Sequence, residues 1–332
     1  MTGEDTRAAV RGSIAPERGP LTLPAPRIAD SVEFEQRTNA MERTRSLAQL
    51  LGRADDARLL IINADDFGMC HAENVATAEG LDSGAFCSST LMMPCPWVEE
   101  AIDFARSRPE ADLGVHITHT SEWERYKWGP VCGAANVPSL VTARGYFHHD
   151  VEPFYAHARL DEVERETRAQ IDTALAAGLD VTHLDSHMGT VQLRPEYHEL
   201  YLRLAAEYRL PIRMAGKRML QAMGMGHITA VADGLGVLYP DHFWFGGPPE
   251  PEVTPRYWTE MLRNLMPGVT EIYIHPAVDD AELRGMTVAA AQREADYRFF
   301  TSSSTRTLFA DLGVELIGYR AVRDLQRRSA TC

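Results

Sequence analysis

The sequence predicts an α/β fold, most simply one barrel-like domain in which parallel strands alternate with helices. Eight strand-like segments alternate with helical segments between Arg58 and Gly318, and a barrel of this kind takes about 250 residues. The first segment, residues 59–62, is apolar throughout, as expected for a strand that is buried on both faces. A doubly wound open sheet is the alternative. No G-x-G-x-x-G motif follows the first strand, which weakens the dinucleotide-binding form of that fold.

The composition is typical of a globular protein with a full core. Of the 332 residues, 45% are apolar and 24% are charged, and the net charge of −14 argues against a nucleic-acid or anionic-membrane surface. The sequence contains no run of 18 apolar residues, so we expect no membrane span. Its first residues carry scattered charges and no apolar segment, so we expect no secretory signal. The five cysteines show no C-x-x-C spacing, which predicts neither a disulfide framework nor a cysteine zinc site and favours a reducing, cytoplasmic location.

The chain before the first strand is predicted to be an extension. Residues 1–30 mix Gly, Pro, Arg and Ala with little periodicity, whereas residues 31–55 carry leucines at helical spacing. We therefore predict three parts. They are an N-terminal extension at 1–57, partly disordered with a helical segment, a barrel domain at 58–322 and a C-terminal tail at 323–332.

From the first strand onward, apolar runs and turn residues define each element. Strands are predicted at residues 59–62, 88–93, 112–118, 180–186, 211–214, 242–245, 270–275 and 314–318. Helices are predicted at residues 71–83, 98–108, 161–177, 195–208 and 254–266, and two more before the last strand. Asp161 is the predicted N-cap of the third helix, and Gly178 ends it. An irregular connection is expected at 121–158, and no pattern is assigned at 216–240.

Four of these strands carry Asp or His near their carboxyl ends, where parallel α/β folds place their chemistry. These residues are Asp65, Asp66, His116, His183, Asp185, His187 and His275. Adjacent side chains of a strand point to opposite faces, so Asp65 and Asp66 share a site only if the backbone turns there, a freedom that Gly68 supplies. The alternative is that this Asp pair caps the following helix.

Imidazole and carboxylate groups together are typical ligands of a divalent Zn, Mn or Fe ion. A single histidine near a strand end is more often a satisfied polar residue or a surface residue. Four strands that end in this way are hard to attribute to chance. An open position on such a metal supplies water of lowered pKa as a nucleophile, and a carboxylate that is not a ligand could act as its general base.

Four segments of the chain resemble, in order, the signature segments of the YdjC-like carbohydrate deacetylases, a family that includes chitooligosaccharide deacetylases and a hopanoid-biosynthesis relative. They are residues 63–68 (NADDFG), 114–118 (GVHIT), 182–187 (THLDSH) and 275–276 (HP). The resemblance covers roughly residues 59–319. It implies a distorted (β/α) TIM-like barrel with one divalent metal ion, Zn or Mg with Mn or Co as alternatives. The implied reaction is removal of an N-acetyl group from an amino sugar or oligosaccharide.

The same resemblance implies a role for each matching residue. The metal ligands would be Asp66, His116 and His187. Asp65 would be the general base that acts on water at the metal, and His275, across the site, is the candidate general acid for the departing amine. Asp185 would orient a ligand or a substrate group, as ligating histidines require.

The substrate side of the site is less well defined by the sequence. In chitooligosaccharide deacetylases the third segment continues with further histidines, whereas here residues 188–190 (MGT) follow, so we expect a different substrate wall. The loop at 121–130 carries Trp123 and Trp128, which either bind a sugar face or anchor the loop. Arg213, at the end of the fifth predicted strand, either steers Asp65 or is a structural ion-pair partner.

Two other functions stay open at this point. A metal-dependent isomerase or lyase on the same barrel would use a similar Asp/His set, although such sites usually draw more Glu and Lys from the strand ends. A non-catalytic sugar-binding relative would keep the same scaffold. The expected partners are a small N-acetylated sugar and, from the family resemblance, a second copy of the chain as a homodimer; nucleic acid and membrane are not expected.

Overall fold

The computed structural model describes residues 45–329. The predicted extension at 1–30, most of the predicted helix at 31–55 and the last three residues lie outside this range. Inside it, α1 (Leu47–Leu50) is a single turn that begins with a capping box on Ser46. The amide of Leu47 donates to Asp241 Oδ1 at 2.8 Å, which fastens this turn to the body of the domain.

Seven strands form one curled, parallel sheet in the part of the chain that the structure describes. They are β1 (Arg58–Phe67), β2 (Ser88–Leu91), β3 (Leu113–Ile117), β4 (Leu184–Ser186), β5 (His242–Trp244), β6 (Gly268–Ile274) and β7 (Val314–Leu316). Their order is β4-β3-β2-β1-β6-β5, and β7 pairs with the first three residues of β1. The predicted α/β fold, a distorted barrel of parallel strands, is confirmed.

The predicted fifth strand, which starts at Pro211, is not a strand. Ile212 makes a single parallel bridge to Leu184 of β4, and its amide donates to the carbonyl of Leu238 at 3.0 Å. Because Pro211 has no amide hydrogen, it cannot donate to a ladder at this point. The segment still continues the curl of the sheet beyond β4 and places Arg213 beside the other strand ends.

Helices surround the sheet. After α1 they are α2 (His71–Asp82), α3 (Val98–Ser107), α4 (Val151–His157), α5 (Leu160–Ala176), α6 (Pro195–Tyr208), α7 (Lys217–Ala222), α8 (Ile228–Leu235), α9 (Thr254–Arg263), α10 (Ala281–Met286), α11 (Ala290–Thr301), α12 (Ser303–Leu312) and α13 (Tyr319–Ser329). Helix α4 lies in the connection predicted to be irregular, and three helices, not two, separate β6 from β7. Arg159, not Asp161, is the cap residue of α5; Asp161 lies in the first turn, where a carboxylate suits the helix dipole.

The side chains of β1 alternate between two faces of the sheet. Leu60 and Ile62 pack with Trp258 of α9, whereas Leu59 and Ile61 belong to a separate apolar cluster on the opposite face. This second face points into the barrel, and toward the carboxyl end of β1 its apolar residues give way to polar ones. The inside of the barrel is therefore apolar at the amino ends of the strands and polar at the carboxyl ends.

The C-terminal helix crosses the boundary predicted between the barrel domain and its tail. Val322 and Arg323 of α13 are both buried, and Arg323 donates to Asp180 Oδ1 at 2.7 Å. Helix α13 therefore packs on the domain across residue 323. Within residues 45–329, the structure contains no helix that is long and apolar enough to cross a membrane.

Candidate active site

A bend at the end of β1 brings two adjacent aspartates to one site. The pairing of β1 with β2 shifts register between Ala64 and Phe67, and Asp66 itself has a left-handed backbone, with φ of 67°. Gly68 also has a positive φ, of 94°. A left-handed conformation is uncommon outside glycine, and Asp tolerates it better than most residues. The turn expected at Gly68 therefore begins at Asp66. The N-cap position of α2 is Cys70, which makes no side-chain capping hydrogen bond. Neither aspartate is at the cap, so the helix-capping alternative is wrong.

Asp66 meets two buried histidines from β3 and from the end of β4. Its Oδ1 lies 3.4 Å from His116 Nε2 and 3.3 Å from His187 Nδ1. The three side chains are buried, and one ligand atom from each lies within 4.8 Å of the others. The structure thus brings together the three residues for which the family resemblance implies metal ligation.

The Asp66 cluster has the features of a cation site. Asp66 Oδ1 is buried and makes no hydrogen bond within residues 45–329, which is costly for a carboxylate oxygen. Its distances to the two histidines are longer than the usual hydrogen-bond distance of about 2.9 Å. Two imidazole nitrogens and one carboxylate oxygen are a donor set that suits a divalent transition metal. The residues therefore fit the metal ion that the family resemblance implies.

Asp185 holds His116 from the other side of its ring. Asp185 Oδ1 lies 2.7 Å from His116 Nδ1, and Asp185 Oδ2 accepts a hydrogen bond from Thr90 at 2.8 Å. Burial lowers the pKa of His116, but Asp185 and Asp66 outweigh it and raise the pKa to about 9. His183, two residues earlier on the same face, stacks on Tyr319 with 3.9 Å between ring centroids. Asp185 thus lies where it can fix the orientation and tautomer of His116.

Glu122 holds the outer ring nitrogen of His187, as Asp185 holds that of His116. Its Oε2 lies 3.0 Å from His187 Nε2, the ring nitrogen that faces away from Asp66. Burial opposes protonation of His187, yet Glu122 and Asp66 together raise its pKa to about 10. Sequence reasoning missed Glu122, although it directly precedes Trp123 in the loop singled out for its aromatic residues.

Asp65 is held by Arg213 rather than by the histidines. The guanidinium donates to both carboxylate oxygens of Asp65 at 2.7 Å, and its Nε donates to Glu271 at 2.8 Å. Burial raises the pKa of Asp65, but the charge and hydrogen bonds of Arg213 outweigh it and lower the pKa to about 2. A second Asp/His grouping, Asp65 with His116 and Asp185, also lies within ligand distance. Because Arg213 forms ion pairs with both Asp65 and Asp185, we interpret this grouping as an ion-pair network and not as a metal site.

Arg293 of α11 reaches the opposite oxygen of Asp66. It donates to Asp66 Oδ2 at 3.0 Å and forms an ion pair with the buried Glu73 of α2. Sequence reasoning missed both residues, because one charged residue on the inner face of a helix carries no pattern that separates it from a surface charge. Asp66 is therefore fixed by Arg293 at one oxygen and faces the two histidines with the other.

His275 lies at the mouth of the site. Its Nε2 is 3.8 Å from Asp66 Oδ2, and its side chain is 35% exposed. Burial lowers the pKa of His275, and the nearby Asp66 carboxylate acts in the opposite direction. The residue therefore lies across the site from the two buried histidines and is accessible to a ligand that enters from solvent.

Both tryptophans of the 121–130 loop are buried. Trp123 is 7% exposed and Trp128 is 2% exposed, and the indole of Trp128 donates to the carbonyl of Thr120 at 2.8 Å. Trp128 also meets His187 edge-on, at 6.2 Å between ring centroids, and Trp123 lies under the Arg293 guanidinium. These contacts favour the anchoring alternative, since neither ring presents a free face to a sugar.

An aromatic group lies on the other side of the mouth, at the ends of β5 and β6. Phe243 and Tyr273 are stacked with 5.8 Å between ring centroids, and Phe245 lies 6.4 Å from Tyr273. The guanidinium carbon of Arg213 is 5.3 Å from the Tyr273 ring. Sequence reasoning did not single out these residues, because alternating aromatics are common in any strand.

The chain was found to be similar to proteins of one family. Residues 59–311 match the family described as YdjC-like protein. A carbohydrate deacetylase of Geobacillus stearothermophilus is 32% identical over 266 residues, which cover 79% of this chain and 97% of that protein. A carbohydrate deacetylase of Thermus thermophilus is 33% identical over 287 residues, which cover 80% of this chain and 94% of that protein.

A solved structure gives the same picture for the fold. The crystal structure of an Enterococcus faecalis protein named for cellobiose-phosphate cleavage superposes with a TM-score of 0.69 at 28% sequence identity. The match covers 80% of this chain and 99% of that protein. The similarity therefore includes nearly the whole of that barrel.

Proposed function

Because this chain belongs to the YdjC-like family, we propose that it is a metal-dependent hydrolase that removes an N-acetyl group from an amino sugar or oligosaccharide. The observation that carries the proposal is the buried Asp66 Oδ1, which faces His116 and His187 and makes no hydrogen bond among residues 45–329. The names of the carbohydrate deacetylases to which the chain is similar supply the substrate class.

The metal ion would be held by Asp66, His116 and His187. When bound, a divalent metal supplies Lewis-acid chemistry, since it polarises a carbonyl oxygen and lowers the pKa of water. Zn and Mg are the candidates, with Mn and Co as alternatives. Asp185 and Glu122 would accept hydrogen bonds from the outer ring nitrogens and so orient the two imidazoles, whose nitrogens facing Asp66 could then ligate the metal once deprotonated.

Asp65 is the proposed general base. Its lowered pKa, which results from the Arg213 ion pair, keeps it in the carboxylate form that a general base needs at neutral pH, while the same shift weakens its affinity for a proton. Arg213 bonds both of its oxygens and fixes the direction from which that proton must come. In the reaction, Asp65 takes a proton from water as the water oxygen bonds to the acetamide carbonyl carbon.

His275 is the proposed general acid. It is partly exposed and lies beside Asp66, on the side from which the sugar would enter. In its imidazolium form His275 would give a proton to the amine nitrogen as the C–N bond breaks. Its lowered pKa makes that form a stronger acid and shifts its population toward lower pH. The products are acetate and the free amino sugar.

The test is metal content together with acetate release. Purified protein is assayed for bound metal and for acetate released from a panel of N-acetylated amino sugars, with and without a chelator. About one divalent metal per chain and chelator-sensitive acetate release are expected. Metal without acetate would favour another amide substrate or the isomerase and lyase alternative. Neither metal nor acetate after reconstitution with Zn, Mn, Co or Mg would indicate a non-catalytic sugar-binding protein.

Two further predictions concern the setting of the enzyme. We expect a homodimer from the family resemblance and a cytoplasmic location from the cysteine pattern. The four cysteines within residues 45–329 are free thiols. Gel filtration with light scattering tests the first prediction, and fractionation of cells tests the second.

A further inference from the structure

Arg293 connects two buried carboxylates next to the end of β1. Its Nη1 atom carries two hydrogens and donates to Asp66 Oδ2 at 3.0 Å and to Glu73 Oε1 of α2. The Arg293 side chain is 11% exposed, and both carboxylates are 1% exposed. The guanidinium carbon also lies 5.7 Å from the centre of the Trp123 ring. Glu73 and Trp123 therefore hold the guanidinium in the place from which it reaches Asp66.

The backbone around Arg293 is tied to the same part of the barrel. The amide of Ala277 donates to the carbonyl of Arg293 at 3.4 Å, and the amide of Val278 donates to the carbonyl of Ala72 at 3.0 Å. The connection that follows β6 is thus held between α11 and α2. Because both the guanidinium and its backbone are fixed, we expect Arg293 to keep its place when a ligand enters the site.

The two oxygens of Asp66 face different groups. Oδ1 lies 3.4 Å from His116 Nε2 and 3.3 Å from His187 Nδ1, the nitrogens of the two proposed histidine ligands. Oδ2 bonds the Arg293 guanidinium, and His275 Nε2 lies 3.8 Å from it. A guanidinium is always charged in a protein, and like charges at short range repel strongly in a buried site. A metal ion is therefore attracted to Oδ1 and kept away from Oδ2.

Resting on the proposed function, we propose that Arg293 is a positioning residue that limits Asp66 to binding the divalent metal ion through one oxygen, Oδ1. A free carboxylate can bind a metal ion through one oxygen or through both. Binding through both would fill a position that water or the acetamide carbonyl needs, and catalytic metal sites keep such a position open. Arg293 would thus preserve the open position without touching the metal or the sugar.

The first test is the crystal structure of wild type with bound Mn²⁺. We expect Asp66 to contact the ion through Oδ1 alone, with Oδ2 still bonded to Arg293. Contact of both oxygens with the ion would overturn the proposal. This measurement needs neither a variant nor a substrate, so its outcome does not depend on the folding of a variant or on turnover.

The second test removes the guanidinium. The double variant E73Q/R293M replaces both members of the Arg293–Glu73 pair, so that no buried carboxylate is left without its partner. Asp66 is then free to bind with both oxygens. Water proton relaxation by bound Mn²⁺ should show that the ion has lost one water, and kcat for acetate release should fall about 10- to 100-fold. A water count equal to that of wild type would overturn the proposal.

R293K and R284M are the matched controls. Because a single nitrogen of Arg293 makes both bonds, a lysine ammonium can replace it, and R293K should keep the water count of wild type. R284M removes an exposed arginine of α10 that pairs with Asp279, and it should change neither the water count nor kcat. Loss of a water in R293K as well would mean that a cation beside Oδ2 does not set how Asp66 binds the ion.

The outcomes separate this proposal from the proposed function. If Oδ1 alone contacts Mn²⁺ and E73Q/R293M loses a water, but wild type releases no acetate from any sugar of the panel, the role of Arg293 stands and the deacetylase proposal fails. If acetate is released but both oxygens of Asp66 contact the ion in wild type, the deacetylase stands and the role of Arg293 fails.

Discussion

The two sides of the barrel mouth differ in the contacts that hold their side chains, which are ion pairs and hydrogen bonds on one side and aromatic ring contacts on the other. On the side of β1, β3 and β4, buried aspartates and histidines are each fixed by a charged or polar partner, as Asp65 is by Arg213 and His116 is by Asp185. On the side of β5 and β6, Phe243 and Phe245 make ring contacts, and the outer ring is exposed to solvent.

We expect this difference to separate residues of the reaction from residues that contact the substrate. A buried charge without a partner is expensive, so the polar side tolerates little movement or substitution. An aromatic face tolerates related residues, because its contribution depends on area and shape more than on a single hydrogen bond. We therefore expect substitutions on the polar side to abolish turnover and substitutions on the aromatic side to change which sugar is preferred.

The largest effect is expected from loss of a histidine on the polar side. H116A or H187A removes one of three proposed metal ligands and should abolish both metal binding and acetate release. Metal analysis of the purified variants checks this. H227A is the control, because His227 is an exposed residue paired with Glu199 and should leave both properties unchanged. Full metal occupancy in either site variant would mean that the proposed ligand set is wrong.

Replacement of the proposed base should separate catalysis from metal binding. In D65N, acetate release should fall about 10³-fold, within the range typical of a lost general base, while metal content stays near that of wild type. Thermal unfolding should be recorded as well, since Arg213 loses an ionic partner. Loss of metal in D65N would show that the roles of the two aspartates are reversed.

Arg213 connects the two sides, and its shape matters as much as its charge. A lysine cannot bond both oxygens of Asp65 and Glu271 together, so R213K should lower kcat between about tenfold and a hundredfold with metal retained. Initial rates at saturating substrate, combined with metal analysis, measure this. An unchanged kcat in R213K would favour the alternative that Arg213 is only a structural ion-pair partner.

The smallest effect on turnover is expected from a change at Asp296, which lies behind the aromatic side. Its replacement should instead change how the free energy of unfolding depends on pH. Asp296 of α11 accepts a hydrogen bond from the indole of Trp258 at 2.7 Å, and burial raises its pKa to about 6 even though that bond acts against the shift. The folded state therefore binds the proton more tightly than the unfolded chain. The contribution of Asp296 to the free energy of unfolding is therefore greatest below about pH 4 and falls as the pH rises to about 6.

Urea unfolding of wild type and D296N between pH 4 and pH 7 tests this dependence. The difference in unfolding free energy between the two proteins should change by roughly 2 kcal/mol over this range, since two pKa units correspond to about 2.7 kcal/mol and the unfolded carboxyl is already about half ionised at pH 4. Acetate release by D296N should match that of wild type. A pH-independent difference would mean that Asp296 titrates normally in the folded protein.

Much of this molecule follows from local sequence pattern. The family resemblance singled out Asp66, His116 and His187, which the structure brings together. The apolar run at 59–62 and the polar residues at strand ends were enough to predict a parallel α/β barrel and the meeting of Asp and His side chains at one rim. Both rest on the period of two along a strand and on the rule that parallel strands carry their chemistry at one end. These are properties of single segments, so one sequence suffices to see them.

The partners that hold those residues did not follow from the sequence. Arg293 reaches Asp66 from a helix more than 200 residues later, and Glu122 reaches His187 from a loop without regular structure. The sequence also could not predict whether Trp123 is buried or exposed, because a tryptophan that anchors a loop and one that binds a sugar have the same local sequence pattern. Contacts of this kind depend on how distant segments pack and leave no periodic signal.

The left-handed backbone of Asp66 also bears on how this chemistry could be lost in evolution. Gly and Asn accept that conformation about as well as Asp does, and each is one nucleotide change away from an aspartate codon. Either change would remove the carboxylate and leave the bend of β1 in place. A lineage can therefore give up the reaction here in a single mutation and keep the barrel, and we expect inactive descendants to carry Asn or Gly at position 66.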